Sequence, residues 1–428
     1  MNQAATTLER VRLTPAQTRG FWAAWAGWTL DGMDSVIFAL VLAPALTELL
    51  PKSGMDSSPS HVVFAGSVLF AVFLAGWGGS LIWGPIADRF GRTRTLAAAV
   101  ACYAVFTGLA AFAQNVWELG TFRFLAGVGI GGEWALAGTY VAEMWPESRR
   151  KMGAGYLQTG YYAGFFLAAA LNYTVGANYG WRAMFLCGGV PVLVSLYMLS
   201  KLNESDRWNR AHTAQSAKSP LVAIFKDQYL RRTVINSALV TVSIIGLWAG
   251  AVYEPSAIIT LAKAMGHTQK EAAQLASFGT GLLSIGTVLG CLAVPLLAER
   301  MGRRTTLAIY FLGMAVCIVV SFGWAFYLKE GLGVFIGSLF FLGFFGGNFA
   351  VYSLWLPEQY PTAVRASAFA FATSFGRFIG AGVNFLIGAG VAAYGSVGMP
   401  VAITASAFFL GLLLLPFSLE TRGQPLPS

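Results

Sequence analysis

Gly84-Pro-Ile-Ala-Asp88-Arg89-Phe-Gly91-Arg92 recurs as Ala298-Glu299-Arg300-Met-Gly302-Arg303-Arg304, with Asp88 and Glu299 standing 211 residues apart. Each copy reads acid, arginine, one apolar residue, glycine, arginine, and each lies between two long apolar stretches. A second doublet has nearly the same offset. Glu143-Met-Trp-Pro146-Glu-Ser-Arg149-Arg150 returns as Glu358-Gln-Tyr-Pro361-Thr-Ala-Val-Arg365, with the acid, the proline and the last arginine all shifted by 215. Two independent landmarks at almost one offset argue against chance. In an apolar chain, a direct repeat of half the length is the mark of two parallel six-helix halves related by an axis along the membrane normal. A binding site is expected between them.

Composition supports a polytopic membrane protein. Of 428 residues, 56% are hydrophobic and only 11% charged, whereas soluble domains carry about 25% charged residues. The mean hydropathy is +0.62. Twelve apolar stretches are legible, at 20–45, 62–86, 93–113, 117–143, 152–176, 182–200, 231–261, 273–298, 305–327, 332–356, 365–393 and 397–418. Each is long enough to cross about 30 Å of hydrocarbon as a helix. The expected fold is therefore an all-α membrane protein of twelve transmembrane helices, with an N-terminal half over 1–200, a cytoplasmic linker over 201–230 and a C-terminal half over 231–428. No cleavable signal peptide is expected, because the polar opening carries Arg10, Arg12 and Arg19.

The net charge of +9 sorts by side. Twenty-one of the 28 Lys and Arg residues fall in the N-terminus, the even-to-odd loops and the C-terminus, and five fall on the other side (Lys52, Arg182, Lys263, Lys270 and Lys329). The positive-inside rule then places both termini in the cytoplasm, in a cell (inner) membrane. The charge is thus accounted for by topology rather than by a nucleic-acid partner. Within the linker, Leu221 to Tyr229 alternates in a way that suits a helix on the membrane surface, or a solvated linker with some helix. Cys102, Cys187, Cys291 and Cys317 sit inside spans as small hydrophobes and show no metal-ligand spacing. His61, His212 and His267 all lie in loops, so no histidine serves as an intramembrane proton carrier. No nucleophile-base pair or cofactor loop is visible, so an enzyme is not expected and no cofactor is implied. Glycines cluster in the second, fourth and tenth spans (Gly76, Gly127, Gly131 and Gly343 among them). They read as helix-packing faces, because no strand precedes Gly127-Val-Gly-Ile-Gly-Gly as a nucleotide site would need.

Ionisable groups at bilayer depth are functional candidates because each costs several kcal/mol unless paired or hydrated. The first span carries Asp31 and Asp34, the fourth Arg123 and Glu133, and the eleventh Arg377. Glu143 and Glu254 lie near span ends, where water is expected to reach them. Asp31 and Asp34 share a helix face, and two such carboxylates tend to hold a proton between them near neutral pH. The first helix and the fourth run in opposite directions. Asp34 and Arg123 therefore fall at similar depth in the outer half and are expected to pair, with Asp31 and Glu133 nearer the midplane. The alternative reading of the Asp34 and Arg123 pair is a permanent structural ion pair.

Shifting the charges by the repeat offset lands Asp34 between Ile245 and Ala249 and Arg123 between Val334 and Ser338, so the second half lacks them. The halves divide labour, with a proton site in the first and Arg377 in the second. Arg377 is suited to bidentate capture of a substrate carboxylate, or to a salt bridge with an acid of the first half. Gln158, Tyr161, Tyr162, Asn348, Tyr352 and Asn384 are the uncharged candidates to line a cavity, each with a helix-glue alternative.

The two acid-arginine-glycine loops, together with Arg123-x-x-x-Gly127-x-Gly129-x-Gly131-Gly132, resemble the signatures of the major facilitator superfamily across all twelve spans. More narrowly, Gly27-Trp-Thr-Leu-Asp31-Gly32-Met-Asp34, Gly132-Glu133-Trp, Thr139-Tyr-Val-Ala-Glu143-Met-Trp-Pro146 and Gly180-Trp181-Arg182-Ala-Met-Phe resemble the sialate:proton symporters, a group that includes monocarboxylate permeases. The resemblance implies proton symport of a small organic anion such as lactate, pyruvate or sialic acid, by a carrier that works as a monomer and alternates between outward-open and inward-open states. It also implies that Asp88, Arg89, Arg92, Glu143 and Arg149 form a cytoplasmic gate, with Glu299, Arg300, Glu358 and Arg365 as the second-half copies. Two features depart from the bacterial sialate carriers. The extra pair of central spans is missing, which favours a smaller carboxylate, and the Asp-Gly-x-Asp segment also occurs in aromatic-acid:proton symporters. A drug:proton antiporter is disfavoured because Gly164 to Asn172 lacks the proline expected late in the fifth span. A non-transporting nutrient sensor is disfavoured by a tail of eight residues after Glu420.

Overall fold

A computed structural model describes residues 13–201, 204, 208–209 and 220–427. Arg10, Arg12 and most of the linker, including His212, lie outside the described residues. The described chain is helical. Its spans are α1 (Pro15–Lys52), α2 (Pro59–Gly79, carried on through Ser80–Ile82 into Trp83–Phe90), α3 (Arg92–Ala110), α4 (Val116–Met144), α5 (Arg150–Leu171) and α6 (Ala177–Gly188 and Val192–Lys201) in the first half. The second half has α7 (Asp227–Ala264), α8 (Gln269–Met301), α9 (Arg303–Ile318), α10 (Leu332–Gly346 and Phe349–Trp355), α11 (Arg365–Tyr394) and α12 (Gly398–Ile403 and Ser406–Leu414).

Among the described residues, nine helices are both long and apolar enough to cross a membrane. The other three spans, α4, α5 and α6, depart from that standard for visible reasons. α4 holds Glu118, Arg123, Glu133 and Glu143, α5 opens on two basic residues and is rich in glycine and tyrosine, and α6 is broken after Gly188. Their polar groups are tolerated because neighbouring helices cover them: α4 packs on α3 and α2, and α5 on α1.

The halves meet along two seams, α2 against α11 and α5 against α8. The repeat sets α2 on α8 and α5 on α11, so the seams are mates under one pseudo-two-fold operation. Glycines let the backbones within a half close up. A side chain at Gly131 would strike Trp77 and Ser80 of α2, and one at Gly343 would strike the Leu283 carbonyl of α8.

The first and last described segments of the chain lie at one end of the bundle. Gln17 Nε2 donates to Met144 O at 2.8 Å and Trp355 Nε1 donates to Leu419 O at 2.8 Å, which gathers the start of α1, the ends of α4 and α10 and the C-terminal segment. The Leu221 to Tyr229 segment departs from the surface-helix expectation. Pro220–Ala223 forms one helical turn, Lys226 is extended (φ −67°, ψ 153°) so that α7 starts afresh at Asp227, and Ile224 is buried among Tyr360, Val364 and Ala368. Leu221, Ala223 and Tyr229 pack around Ile224 on the protein, while Val222 and Phe225 stay exposed.

Candidate functional site

The repeated loops build a double latch at the end that carries the termini. Gly91 (φ 108°) and Gly302 (φ 88°) adopt the conformation that favours glycine, and each gives its N–H to the carbonyl four residues back, at 3.1 Å. The turn folds the next arginine back on the helix it has just left. Arg92 Nη1 donates to Ala87 O at 2.8 Å and Arg303 Nη1 donates to Ala298 O at 3.2 Å. Each then reaches the acid at the end of its half's fourth helix: Arg92 to Glu143 at 3.2 Å, and Arg303 to Glu358 at 2.8 Å. Each acid also takes an arginine from the other half, Arg365 on Glu143 at 2.9 Å and Arg150 on Glu358 at 3.2 Å. Asp88 pairs with Arg92 at 3.1 Å and crosses the seam to accept from Ser367 N at 2.9 Å and Ser367 Oγ at 2.5 Å. The ionic side chains of these two triads are buried.

The membership differs in part from the sequence expectation. Arg149 and Arg300 are exposed, as is Arg89, whose guanidinium lies over the Phe90 ring at 5.3 Å. The buried cations are instead Arg150 and Arg303. Their signal was in the repeat itself, since Arg150 aligns with Arg365 and Arg303 with Arg92. Glu299 remains at the rim, half-exposed, with Arg303 at 3.3 Å and Lys151 at 2.6 Å. Glu204 and Glu420 are further members that the sequence reading passed over. Glu204 accepts from the amides of Arg92 (2.7 Å) and Thr93 (2.9 Å), and Glu420 from those of Arg303 and Arg304 (both 3.1 Å). Both carboxylates satisfy open N–H groups at a helix start, α3 and α9 respectively.

Deeper in the bundle, Arg123 Nη1 lies 3.2 Å from each Asp34 oxygen, and its Nη2 donates to Thr107 Oγ1 at 2.6 Å. The guanidinium is flanked by Phe38 and Phe185, with ring centres at 5.5 and 4.9 Å. Asp31, one helical turn nearer the termini, is fully buried and neither carboxyl oxygen has a hydrogen-bond partner; the same holds for Glu133. The Glu133 carboxyl rests on the α1 backbone at Gly27. The Asp34–Arg123 pair and the Glu133 contact at Gly27 thus join α1 to α4.

Arg377 makes no ion pair among the described residues. Its guanidinium lies between Trp77 (4.2 Å to the ring centre) and Trp134 (5.5 Å), its Nη1 donates to Thr373 O at 2.7 Å, and its Nε has no partner. It borders a chamber of about 20 Å³ together with Gln158, Tyr161, Tyr162, Trp28 and Trp248. A bridge spans the chamber wall from one half to the other: Trp134 Nε1 donates to Ser353 Oγ at 2.8 Å, and Ser353 Oγ to Gln158 Oε1 at 3.1 Å. The other uncharged candidates lie elsewhere. Tyr352 donates to Leu239 O at 2.7 Å and meets Ser243 Oγ at 2.9 Å, tying α10 to α7. Asn348 sits at the break in α10 and donates to Phe345 O at 2.9 Å. Asn384 lines a different cavity. The sequence reading missed the tryptophans, whose signal was an indole deep within a span rather than at a membrane interface.

That second cavity, of about 440 Å³, lies between the halves toward the end away from the termini. Leu42, Ser67, Phe70, Tyr253, Asn384 and Ser396 border it, and among the described residues no charged side chain does. Phe70 meets Trp248 at 5.6 Å and Trp248 meets Trp77 at 5.4 Å, so three rings part this vestibule from the chamber. The outer end of α1 is tied down by the Gly180-Trp181-Arg182 turn, in which Trp181 Nε1 (2.9 Å) and Arg182 Nη1 (2.7 Å) donate to Glu48. The bundle is therefore latched at the end with the termini and hollow at the other.

Residues 24–383 match the major facilitator superfamily. The chain is 32% identical over 422 residues, covering 96% of it and 92% of the relative, to a probable 4-methylmuconolactone transporter of Cupriavidus pinatubonensis. It is 29% identical over 224 residues to the sialic acid transporter NanX of Escherichia coli, a match covering 52% of this chain and 53% of that one. Its fold is similar to that of the proton:xylose symporter XylE, with a TM-score of 0.78 at 21% identity, over 96% of this chain and 98% of that one.

Proposed function

The chain belongs to the major facilitator superfamily, and from that premise we propose that it carries a small, flat organic acid across the inner membrane together with protons, both termini facing the cytoplasm. The observation that carries the reading is Arg377 between two indoles with its Nε unpartnered. A guanidinium edge captures a carboxylate, and the surrounding rings offer faces on which a planar, unsaturated body stacks. Lactate and pyruvate are too small to use those faces. Sialic acid is a bulky polyhydroxylated acid that aromatic walls serve poorly. The relative named for 4-methylmuconolactone, matched over nearly the whole chain, favours the same choice.

Coupling is assigned to α1 and α4. A proton arriving from the vestibule side neutralises Asp34 and frees Arg123, or settles on Asp31, whose carboxyl lacks any hydrogen bond. The substrate anion binds Arg377, the aromatic floor of the vestibule closes over it, and the halves rock so that the latch end opens. The test is uptake into proteoliposomes under an inward proton gradient, with radiolabelled benzoate, 4-methylmuconolactone, lactate, pyruvate and sialic acid, with and without a protonophore. Gradient-dependent accumulation of the ring acids is expected. Accumulation of lactate but not of the ring acids would sink the aromatic assignment, and accumulation indifferent to the protonophore would sink proton coupling.

A further inference from the structure

Glu254 is a carboxylate that this coupling scheme leaves unused. It stands on α7, in the half opposite to Asp31, Asp34 and Glu133, and it is only 1% exposed. The expectation that water reaches it from a span end fails because α7 runs ten residues further, to Ala264, and α8 covers the side. Its Oε1 accepts a hydrogen bond from Thr280 Oγ1 of α8 at 2.5 Å, and its Oε2 has no partner.

No cation pairs with Glu254 among the described residues. α10 and α12 carry no charged side chain. α9 brings Arg303 and Arg304 only at the latch end, and α11 brings Arg365 to the latch and Arg377 to the chamber. On α8, Lys270 and Glu271 belong to the first turn, nine or more residues before Thr280, and Glu299 and Arg300 lie exposed at the latch rim. On α7 itself, Tyr253 donates to Asn384 O at 3.2 Å and Lys263 is exposed. A buried acid held by one hydroxyl and facing no cation is arranged to take up and release a proton rather than to anchor an ion pair.

The position has a second distinguishing feature. Pro255 follows directly and has no N–H to offer the Ala251 carbonyl, so α7 is weakened there. α1 has Pro44 at the offset of the loop repeat, 211 residues earlier, and both prolines adjoin the vestibule, through Ala43 on one side and Tyr253 and Ser256 on the other. On that offset the counterpart of Glu254 is Ala43. The two halves thus share a proline break beside the vestibule, and one of them adds an acid to it.

We propose that Glu254 is a second proton-binding site, in the C-terminal half, that governs how the outer part of α7 packs on α8 at the Pro255 break. Its role in coupling rests on the transport reading; its ability to bind a proton does not. The test is pH-difference infrared spectroscopy of the protein reconstituted in lipid, with no substrate present. The wild type is expected to show a protonated-carboxyl stretch that titrates, E254Q to lack that component, E254D to retain one, and T280V to shift it to higher frequency as the carbonyl loses its donor. An E254Q spectrum that titrates as the wild type does, or a T280V band that stays in place, would overturn the proposal. With benzoate as the transported probe, protons moved per benzoate should fall by one in E254Q. If no ring acid is transported at all, the infrared result still decides on Glu254 alone.

Discussion

Neutralising Glu143 should open the latch. Glu143 receives Arg92 at 3.2 Å and Arg365 at 2.9 Å, and the side chains of all three are fully buried. In Glu143→Gln, Arg92 keeps Asp88 at 3.1 Å, but Arg365 loses the carboxylate of Glu143 and keeps its hydroxyl and carbonyl acceptors. Breaking a buried ion pair by removing one partner costs about 3–5 kcal/mol. That cost falls on the latched state, because separation of the halves exposes Arg365 to water. At about 1.4 kcal/mol per factor of ten, the lower figure moves the balance between latched and unlatched forms by roughly a hundredfold. The assay is a spin-label distance measurement in a cysteine-free background, with labels at Lys52 and Met265, exposed residues at the outer ends of α1 and α7. As the latch opens the outer ends approach, so a shorter-distance population should grow in Glu143→Gln, while Arg149→Gln, a change at an exposed residue, leaves the distribution as in the wild type. An unchanged distribution in folded Glu143→Gln would refute the assignment of these triads as the closure.

Three further outcomes follow from the geometry. Asp34→Asn should abolish pH-driven accumulation while sparing substrate exchange, since the Asp34–Arg123 pair is the proposed proton-linked contact; undiminished accumulation in the proteoliposome assay would remove that role. Arg377→Ala should abolish binding of benzoate and Arg377→Lys should weaken it by at least tenfold, because an ammonium cannot present the planar fork; quenching of the tryptophan fluorescence contributed by Trp77 and Trp134 reads the binding directly. Gly131→Ala should destabilise the fold by about 1–3 kcal/mol through overpacking against Trp77 and Ser80, whereas Gly333→Ala, with nothing within 4 Å of the added methyl, should not; scanning fluorimetry of the two variants tests the contrast.

Much of the site was legible because charge is rare in this chain. With 11% charged residues, an acid or arginine inside an apolar span stands out, and opposed helix directions alone put Asp34 and Arg123 at one depth. The same logic failed for Glu254, because the apolar stretch underestimated the helix: α7 spans Asp227–Ala264, about 57 Å at 1.5 Å per residue, and so buries an acid that hydropathy placed near its end. It also failed for Arg149, since adjacent residues on a helix start point about 100° apart, and only packing against Glu358 selects Arg150 for the interior. The uncharged candidates were harder still. Gln158, Tyr161 and Tyr162 border the chamber, whereas Tyr352 spends its hydroxyl within its own half, and nothing in residue type separates these cases.

Hydropathy and motif spacing are enough to establish a twofold-repeated, all-helical membrane protein. They are local quantities, read over some twenty residues or between two loops, and they survive any packing of the helices. Three features came from packing alone: the arginines trade partners across the seam, Arg377 lies between tryptophans contributed by α2 and α4, and the bundle is latched at one end and hollow at the other. Contacts between residues as distant in sequence as Glu143 and Arg365 depend on how two rigid halves are set against each other, and a carrier of this family uses more than one such setting.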